Sequence, residues 1–325
     1  MNTGQHAAGT ARCWRLLPLL GVALGAAWLI QAPEADAGPK ASKAWKKMAK
    51  NLRTSVLAEA KADYALAQAR AILIADEDDQ DEYLDEAKEE FAETKSLAKE
   101  QYVARLELAE DLEEDEPYSV VIDPNDFVEG INHTFMPFTP GNTWTYMGET
   151  EDGLETIVVA VTSNTVEIMG VTCIEVRDTV TIDGELVEDT LDWFAQDVQG
   201  NVWYFGEISL NYEDGNIADV DGSWRGGVDG ALPGIVMPAV PVEGDMYRTE
   251  FFLGEAEDFI EILGLNESAS VPYGDFGNCM KSFDGTPMEP DVEEFKYYAP
   301  GLGLVLEESP GEGERIELIS FTTDE

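Results

Sequence analysis

Glu110-Asp111-Leu112-Glu113-Glu114-Asp115-Glu116-Pro117-Tyr118-Ser119-Val120-Val121-Ile122-Asp123-Pro124 is the stretch on which the fold turns. Upstream, from Lys40 to Glu116, there is neither Gly nor Pro. From Pro117 onward both recur, and aromatic and β-branched runs take over. Gly and Pro punctuate turns and are disfavoured inside helices. The boundary therefore predicts an α+β chain: an N-terminal helical hairpin followed by an antiparallel β half-barrel or barrel. The expected layout is a signal peptide over 1–37, a helical hairpin or coiled coil over 38–115, a linker over 116–126 and an acidic antiparallel β domain over 127–325. Pro117 and Pro124 stop any helix from running through the linker.

In the helical segment, Trp45, Met48, Leu52, Val56 and Ala60 follow one another at helical spacing. Leu84, Ala87, Phe91, Ala98, Tyr102, Leu106 and Ala109 do the same after an acidic break at 75–82. Each series draws a single apolar stripe. Asp79 and Glu82 have capping-box spacing, which predicts a new helix start there. One unbroken helix would reach about 115 Å and leave its stripe bare. A hairpin, or association with a helix of another chain, gives each stripe a partner. The segment starts basic over 40–53 and ends acidic, so pairing within the hairpin is the simplest outcome.

In the second part, Thr143–Gly148, Thr156–Thr162, Val171–Thr181 and Leu186–Trp193 alternate as strands do. Asp183-Gly184 and Gln199-Gly200-Asn201 read as hairpin turns. Later strands are expected within 202–208, 246–253, 268–272, 277–283, 292–298, 303–308 and 314–322. Glu255–Leu263 reads either as a short helix or as strand. The stretch 222–244 is apolar yet broken by Gly and Pro, which predicts an irregular covered segment. It would plug the concave face of the sheet or act as a lid, with Trp224 and Met237 as ligand contacts in the second case.

Phe138-Thr139-Pro140-Gly141-Asn142-Thr143-Trp144-Thr145-Tyr146 resembles the Gly-x-x-Trp-x-Tyr opening of many exported bacterial β proteins of unknown function. Ala299-Pro300-Gly301-Leu302-Gly303-Leu304-Val305 resembles their Gly-x-Gly-Leu-Val ending. Asp189–Asp197 and Gly200–Glu207 look like the middle of the same group. The likeness spans about 126–308 and leaves out the helices. In outline such proteins are similar to half-barrels of the periplasmic lipoprotein-carrier type. The resemblance implies a curved sheet holding an apolar small molecule or lipid, and it implies no catalytic residues.

Arg12 and Arg15 precede the apolar run Leu16–Ile30, and Ala35-Asp36-Ala37 follows as a small-x-small cleavage pattern. The run is short of the roughly 20 residues a spanning helix needs. The expectation is a secreted or periplasmic protein without a transmembrane segment after cleavage. Export makes a bridge between Cys173 and Cys279 chemically possible; buried free thiols are the equal alternative. The formal net charge is −46, and residues from Pro117 onward carry 43 acids against six bases. Such a chain repels nucleic acid and attracts cations.

Past the leader, His133 is the sole histidine, which argues against His-based triads and multi-His zinc sites. No phosphate loop, dinucleotide fingerprint or nucleophile elbow occurs. No catalytic residue is assigned. Asp189 with Asp192, or Glu255 with Glu257 and Asp258, could serve a secreted hydrolase as paired carboxylates, but adjacent acids are expected by chance in so acidic a domain. Asp214, Asn216, Asp219 and Asp221 offer oxygens for calcium, though their spacing misses the EF-hand pattern. No other cofactor is implied. The reading is an exported non-enzymatic binding or envelope-associated structural protein, with the hydrolase as the alternative and a helix-mediated protein partner as a further possibility.

Overall fold

The computed structural model describes residues 40–323; the signal peptide expected over 1–37 lies outside them. The described chain falls into two compact units, one ending at Tyr118 and the other starting at Ser119. Among the described residues no helix is long and apolar enough to cross a membrane.

The first unit is a helical hairpin. Helix α1 spans Lys43–Ala71, and the Ser42 side chain caps it by accepting from the Trp45 N–H. Helix α2 spans Glu77–Asp111. It starts before the predicted Asp79, because Asp76 takes the cap: its carboxylate accepts from the Asp78 and Asp79 N–H groups. Glu77, Asp78 and Asp79 then fill the first turn, where the helix dipole favours negative charge. The Gln80 side chain ties the connection by donating to Ala71 O at 2.6 Å. The hairpin core is thin. Trp45, Ala49 and Ala71 are buried on α1, and Ala98, Leu106, Leu108 and Ala109 on α2. Trp45 also donates its indole N–H to Glu116 O at 3.1 Å.

The second unit is a single antiparallel sheet curled into a nearly closed barrel. A 3-10 turn, Pro124–Asp126, leads into a short strand β1, Phe127–Val128. Long strands follow: β2 Asn142–Thr150, β3 Gly153–Ile168, β4 Val171–Ile182, β5 Glu185–Asp197 and β6 Val202–Glu213. Then come β7 Asn216–Asp219, β8 Trp224–Arg225, β9 Leu232–Met237, β10 Met246–Arg248 and β11 Glu250–Phe251. The last five are β12 Phe259–Val271, β13 Gly274–Gly285, β14 Glu294–Ala299, β15 Gly303–Ser309 and β16 Glu314–Thr323. The predicted Asp183-Gly184 turn is present, with both residues at positive φ (51° and 86°), as a two-residue hairpin loop of the right twist demands.

Two local readings change, and one open alternative is decided. Of Glu255–Leu263, the part from Phe259 on is strand and Glu255 to Asp258 form a turn and loop; Phe259 to Val271 is one bulged strand, β12, which absorbs the separate run predicted at 268–272. Two pieces of the irregular segment 222–244 join the sheet, and the rest is turn and loop as expected. β8 and β9 both pair with β6, despite Pro233 and Gly234, since β9 lies beside the seam. The strand β10–β11 run then closes the circle. Met246–Arg248 pairs with β12, and two residues on, Glu250–Phe251 pairs with β9. One short piece of chain thus stitches the two ends of the sheet. Gly234 is needed there, because a Cβ would run into the backbone of Arg248 and Thr249.

Side-chain alternation sorts residues between the barrel lumen and its outside. Trp144, Tyr146, Ile157, Val159, Val176, Phe194, Tyr204, Ile262, Met280, Leu304 and Leu318 belong to the main core. A bulge in β3 between Val161 and Thr165 shifts the register. Beyond it Ile168, Val171, Cys173, Trp193, Ala195 and Phe205 form a second cluster, covered by Ile122 and Phe127.

Candidate functional site: an acid-lined lumen with an aromatic end

The barrel lumen divides along its axis. At one end Trp144, Tyr146, Val159, Val176, Phe194, Tyr298 and Leu304 face one another, and Phe135, Met136 and Phe138 from the loop before β2 close that end. The Trp144 indole donates to Leu302 O at 2.8 Å and the Tyr146 hydroxyl to Leu304 O at 3.0 Å, which fixes both rings. His133 holds the closing loop. Its ring contacts Pro238 O at 3.1 Å, the Phe135 N–H donates to Nδ1 at 3.2 Å, and burial pushes its pKa down. It is a structural clasp.

Beyond the aromatic end the lumen is acidic. Strand β5 sends Glu188, Thr190, Asp192 and Phe194 inward as consecutive alternate residues. Strand β4 adds Asp178 between Val176 and Val180. Asp192 accepts from the Tyr204 hydroxyl at 2.6 Å. Glu188 Oε1 accepts from both Thr190 and Ser209 at 2.6 Å. Burial raises the Asp192 carboxyl to about 7 despite that hydrogen bond. Asp178 is pushed well above the usual carboxylate range, first by burial and then by Asp192, Glu188, Glu155 and Glu307.

Lys296, on β14, is the cationic counterpart. Its ammonium lies 2.8 Å from Glu294, 3.4 Å from Asp284 and 3.9 Å from Glu307. Burial alone would depress an ammonium pKa; the surrounding carboxylates outweigh it and raise Lys296 well above its ordinary value. Burial and Glu294 in turn push Glu307 upward. Where the aromatic and acidic regions meet, Asp178, Asp192 and Lys296 line a cavity of about 30 Å³ with the aromatic side chains. That volume admits a water-sized group, since one water needs roughly 10–15 Å³ on this measure.

Of the residues singled out in the sequence, Asp192 lines the cavity and the others fall elsewhere. Trp224 and Met237 are buried core residues; the Trp224 ring stands perpendicular to Tyr204 at 5.3 Å, and neither lines the cavity. Asp189 and Asp192 point to opposite sides of β5. Asp189 receives two 2.7 Å hydrogen bonds from Arg177 on the outside, so the two cannot act as a pair. Glu257 accepts from the Gly254 N–H at 2.8 Å, Asp258 is buried, and Glu255 is exposed. Asp214, Asn216, Asp219 and Asp221 sit on the β6–β7 turn and just after it. Asn216 donates to Asp214 O, and Asp219 accepts from Asn211 and from the Asp221 N–H. Among the described residues no group of three or more His, Cys, Asp or Glu is placed to hold a metal ion. Cys173 and Cys279 are free and buried in separate clusters, so the bridge that export would allow is absent. Burial pushes the Cys173 thiol up to about 12, leaving it inert.

Asp178 and Lys296 were not singled out, although a signal existed. Asp178 shares the alternation of Val176 and Val180, and Lys296 that of Tyr298. A charge on the apolar face of a strand is the mark of a lumen residue.

No family model matches the chain. No curated protein matches it. A solved structure described as a "putative lipoprotein" from Parabacteroides distasonis is similar to 58% of this chain and 99% of its own, at 16% identity and a TM-score of 0.32.

Proposed function

We propose that the chain is an exported, envelope-associated binding protein, secreted or periplasmic, that holds an apolar group at the aromatic end of its barrel and carries out no chemistry. The observation that supports this is the cavity itself. Its walls are mainly aromatic and aliphatic with a few converging polar groups, the make-up common to ligand sites. A ligand larger than water enters when Phe135, Met136 and Phe138 withdraw. These three belong to a loop held by the His133 clasp and an isolated bridge rather than by a strand ladder. The hydrolase alternative is poorly served, because the Asp189–Asp192 pair is split by the sheet and the inward acids face a space too small for a polymer. The half-exposed stripe of the hairpin offers a surface to a helical protein partner.

Native mass spectrometry of the exported full chain tests the reading. A retained apolar adduct, released by organic solvent, is the expected result. A clean mass, together with unchanged tryptophan fluorescence on titration with a long-chain fatty acid, would overturn it.

A further inference from the structure

We propose that the lumen cavity binds a single ammonium-type cation, seated between the Asp178 carboxylate and the surrounding aromatic faces. The inference rests on reading the barrel interior as a binding site, and it names the chemistry of the group that enters first.

Four observations lead there. Asp178 is 1% exposed, lines the cavity, and its Oδ1 has no hydrogen-bond partner among the described residues. An unsatisfied buried carboxylate oxygen is costly, and a donor placed against it recovers that cost. The charged groups that act on Asp178 are Asp192, Glu188, Glu155 and Glu307, all acids. Lys296 reaches the same cavity, but Glu294, Asp284 and Glu307 already surround its ammonium. With no cation bound, burial keeps a proton on Asp178; an ammonium set against Oδ1 displaces that proton, and the acids around it then favour a cation over an anion.

The walls narrow the class. Trp144, Tyr146, Phe194 and Tyr298 present rings around the space, and ring faces attract ammonium groups once water is stripped away. A divalent metal would want several oxygens at short range, and no preformed set of acidic or thiol ligands exists among the described residues. The volume fits one group of water size. Free ammonium fits whole; a primary amine would place its head here with its apolar body toward Phe135 and Phe138. The shared chemistry is the –NH₃⁺ or NH₄⁺ group.

The test uses the full chain at constant ionic strength and pH 7.5. Thermal unfolding is followed in sodium, ammonium, methylammonium and tetramethylammonium chloride. The expected result is a saturable rise in Tm with ammonium, absent with sodium and with the oversized tetramethylammonium. A larger rise with methylammonium assigns the site to amine heads; a smaller one assigns it to free ammonium. Asp178→Asn should remove the ammonium-specific rise while keeping the far-UV dichroism of the parent. Should that variant not fold, NMR of the parent with ¹⁵N-ammonium decides: a bound signal protected from exchange supports the site. Equal shifts in all four salts, a rise that survives Asp178→Asn, or no protected ammonium signal overturns the proposal and leaves water as the occupant. If ammonium fails while an apolar adduct is still found, this inference falls and the binding reading stands.

Discussion

The helical hairpin and the barrel are both rich in acid, yet they treat it in opposite ways. On α2 the acids lie on the solvent side of a narrow apolar stripe, and the first-turn acids sit where the helix dipole welcomes them. In the barrel a large share of the acids point outward too, but Asp178, Glu188, Asp192, Glu207, Asp258 and Asp284 are buried. Surface charge costs little. Buried charge must be paired, hydrogen-bonded or neutralised by a proton. The comparison teaches that net charge describes the environment of this protein, whereas the position of a few acids within a strand describes its site.

The largest effect should come from removing the lumen's central cation. Lys296→Met would leave Glu294, Asp284 and Glu307 facing one another without a counter-charge. Breaking a buried ion cluster by removing one partner costs about 3–5 kcal/mol. Urea unfolding followed by tryptophan fluorescence should show that loss. A cost under about 1 kcal/mol would mean that the three carboxyls are already protonated and that Lys296 contributes little. A lysine placed out in the hairpin, such as Lys88 beside Asp85 at 3.4 Å, should show almost nothing on the same substitution.

Acidity also sets a pH dependence of unusual sign. Asp178, Asp192, Asp258, Asp284 and Glu307 all have raised pKa values, with burial as the first cause in each. The folded state therefore binds more protons than the unfolded chain between the ordinary carboxylate range near pH 4 and the raised values. Stability is present in full at the acid side of that window and is lost as pH rises through it, to about 7 for Asp192. Each such group contributes about 1.4 kcal/mol per pH unit within its window. The barrel should melt at higher temperature at pH 5 than at pH 8, the reverse of a protein whose carboxylates are salt-bridged. Asp178→Asn should flatten this slope and raise the melting temperature at pH 8. A flat or rising profile for the parent would show that the lumen acids are ionised and solvated.

Two tryptophans allow a milder comparison across the units. Trp45 and Trp144 are each buried and each donate the indole N–H to a backbone carbonyl, Glu116 O and Leu302 O. Phenylalanine at either place keeps most of the apolar burial and orphans a carbonyl. The expected loss is about 1–2 kcal/mol. Trp144→Phe should cost more, because its ring packs between Phe138 at 5.8 Å and Phe321 at 5.1 Å, whereas the hairpin core around Trp45 consists largely of alanines. Equal losses would mean that the orphaned carbonyl, and not the packing, sets the cost at both sites.

Much of this architecture was legible in the residues. The Gly- and Pro-free span announced the hairpin, and the alternating runs with Asp-Gly turns announced the antiparallel sheet. Where the reading failed, the cause was tertiary. Pro233 and Gly234 argued against a strand, and only the seam with Arg248 and Thr249 makes β9 possible there. The Asp76 cap won over Asp79 because a single carboxylate can accept from two N–H groups one turn earlier. The site was missed for another reason. A count of acids treats Asp178 and Asp189 alike, while the strand period puts one beside Val176 and Val180 and the other beside Arg177.

That last pair gives the smallest and cleanest contrast. Arg177 and Asp189 form a two-pronged hydrogen-bonded pair on the outer face of neighbouring strands, with Arg177 53% exposed. Exposed pairs of this kind contribute about 0–1 kcal/mol and weaken with salt. Asp189→Asn should therefore change the melting temperature by a degree or so and leave the pH slope of the barrel intact. Asp192→Asn, three residues along the same strand, alters a lumen carboxyl hydrogen-bonded to Tyr204, so it should reduce that slope. If the two substitutions behave alike, the distinction between the inner and outer faces of β5 has no energetic content, and the lumen is as wet as the surface.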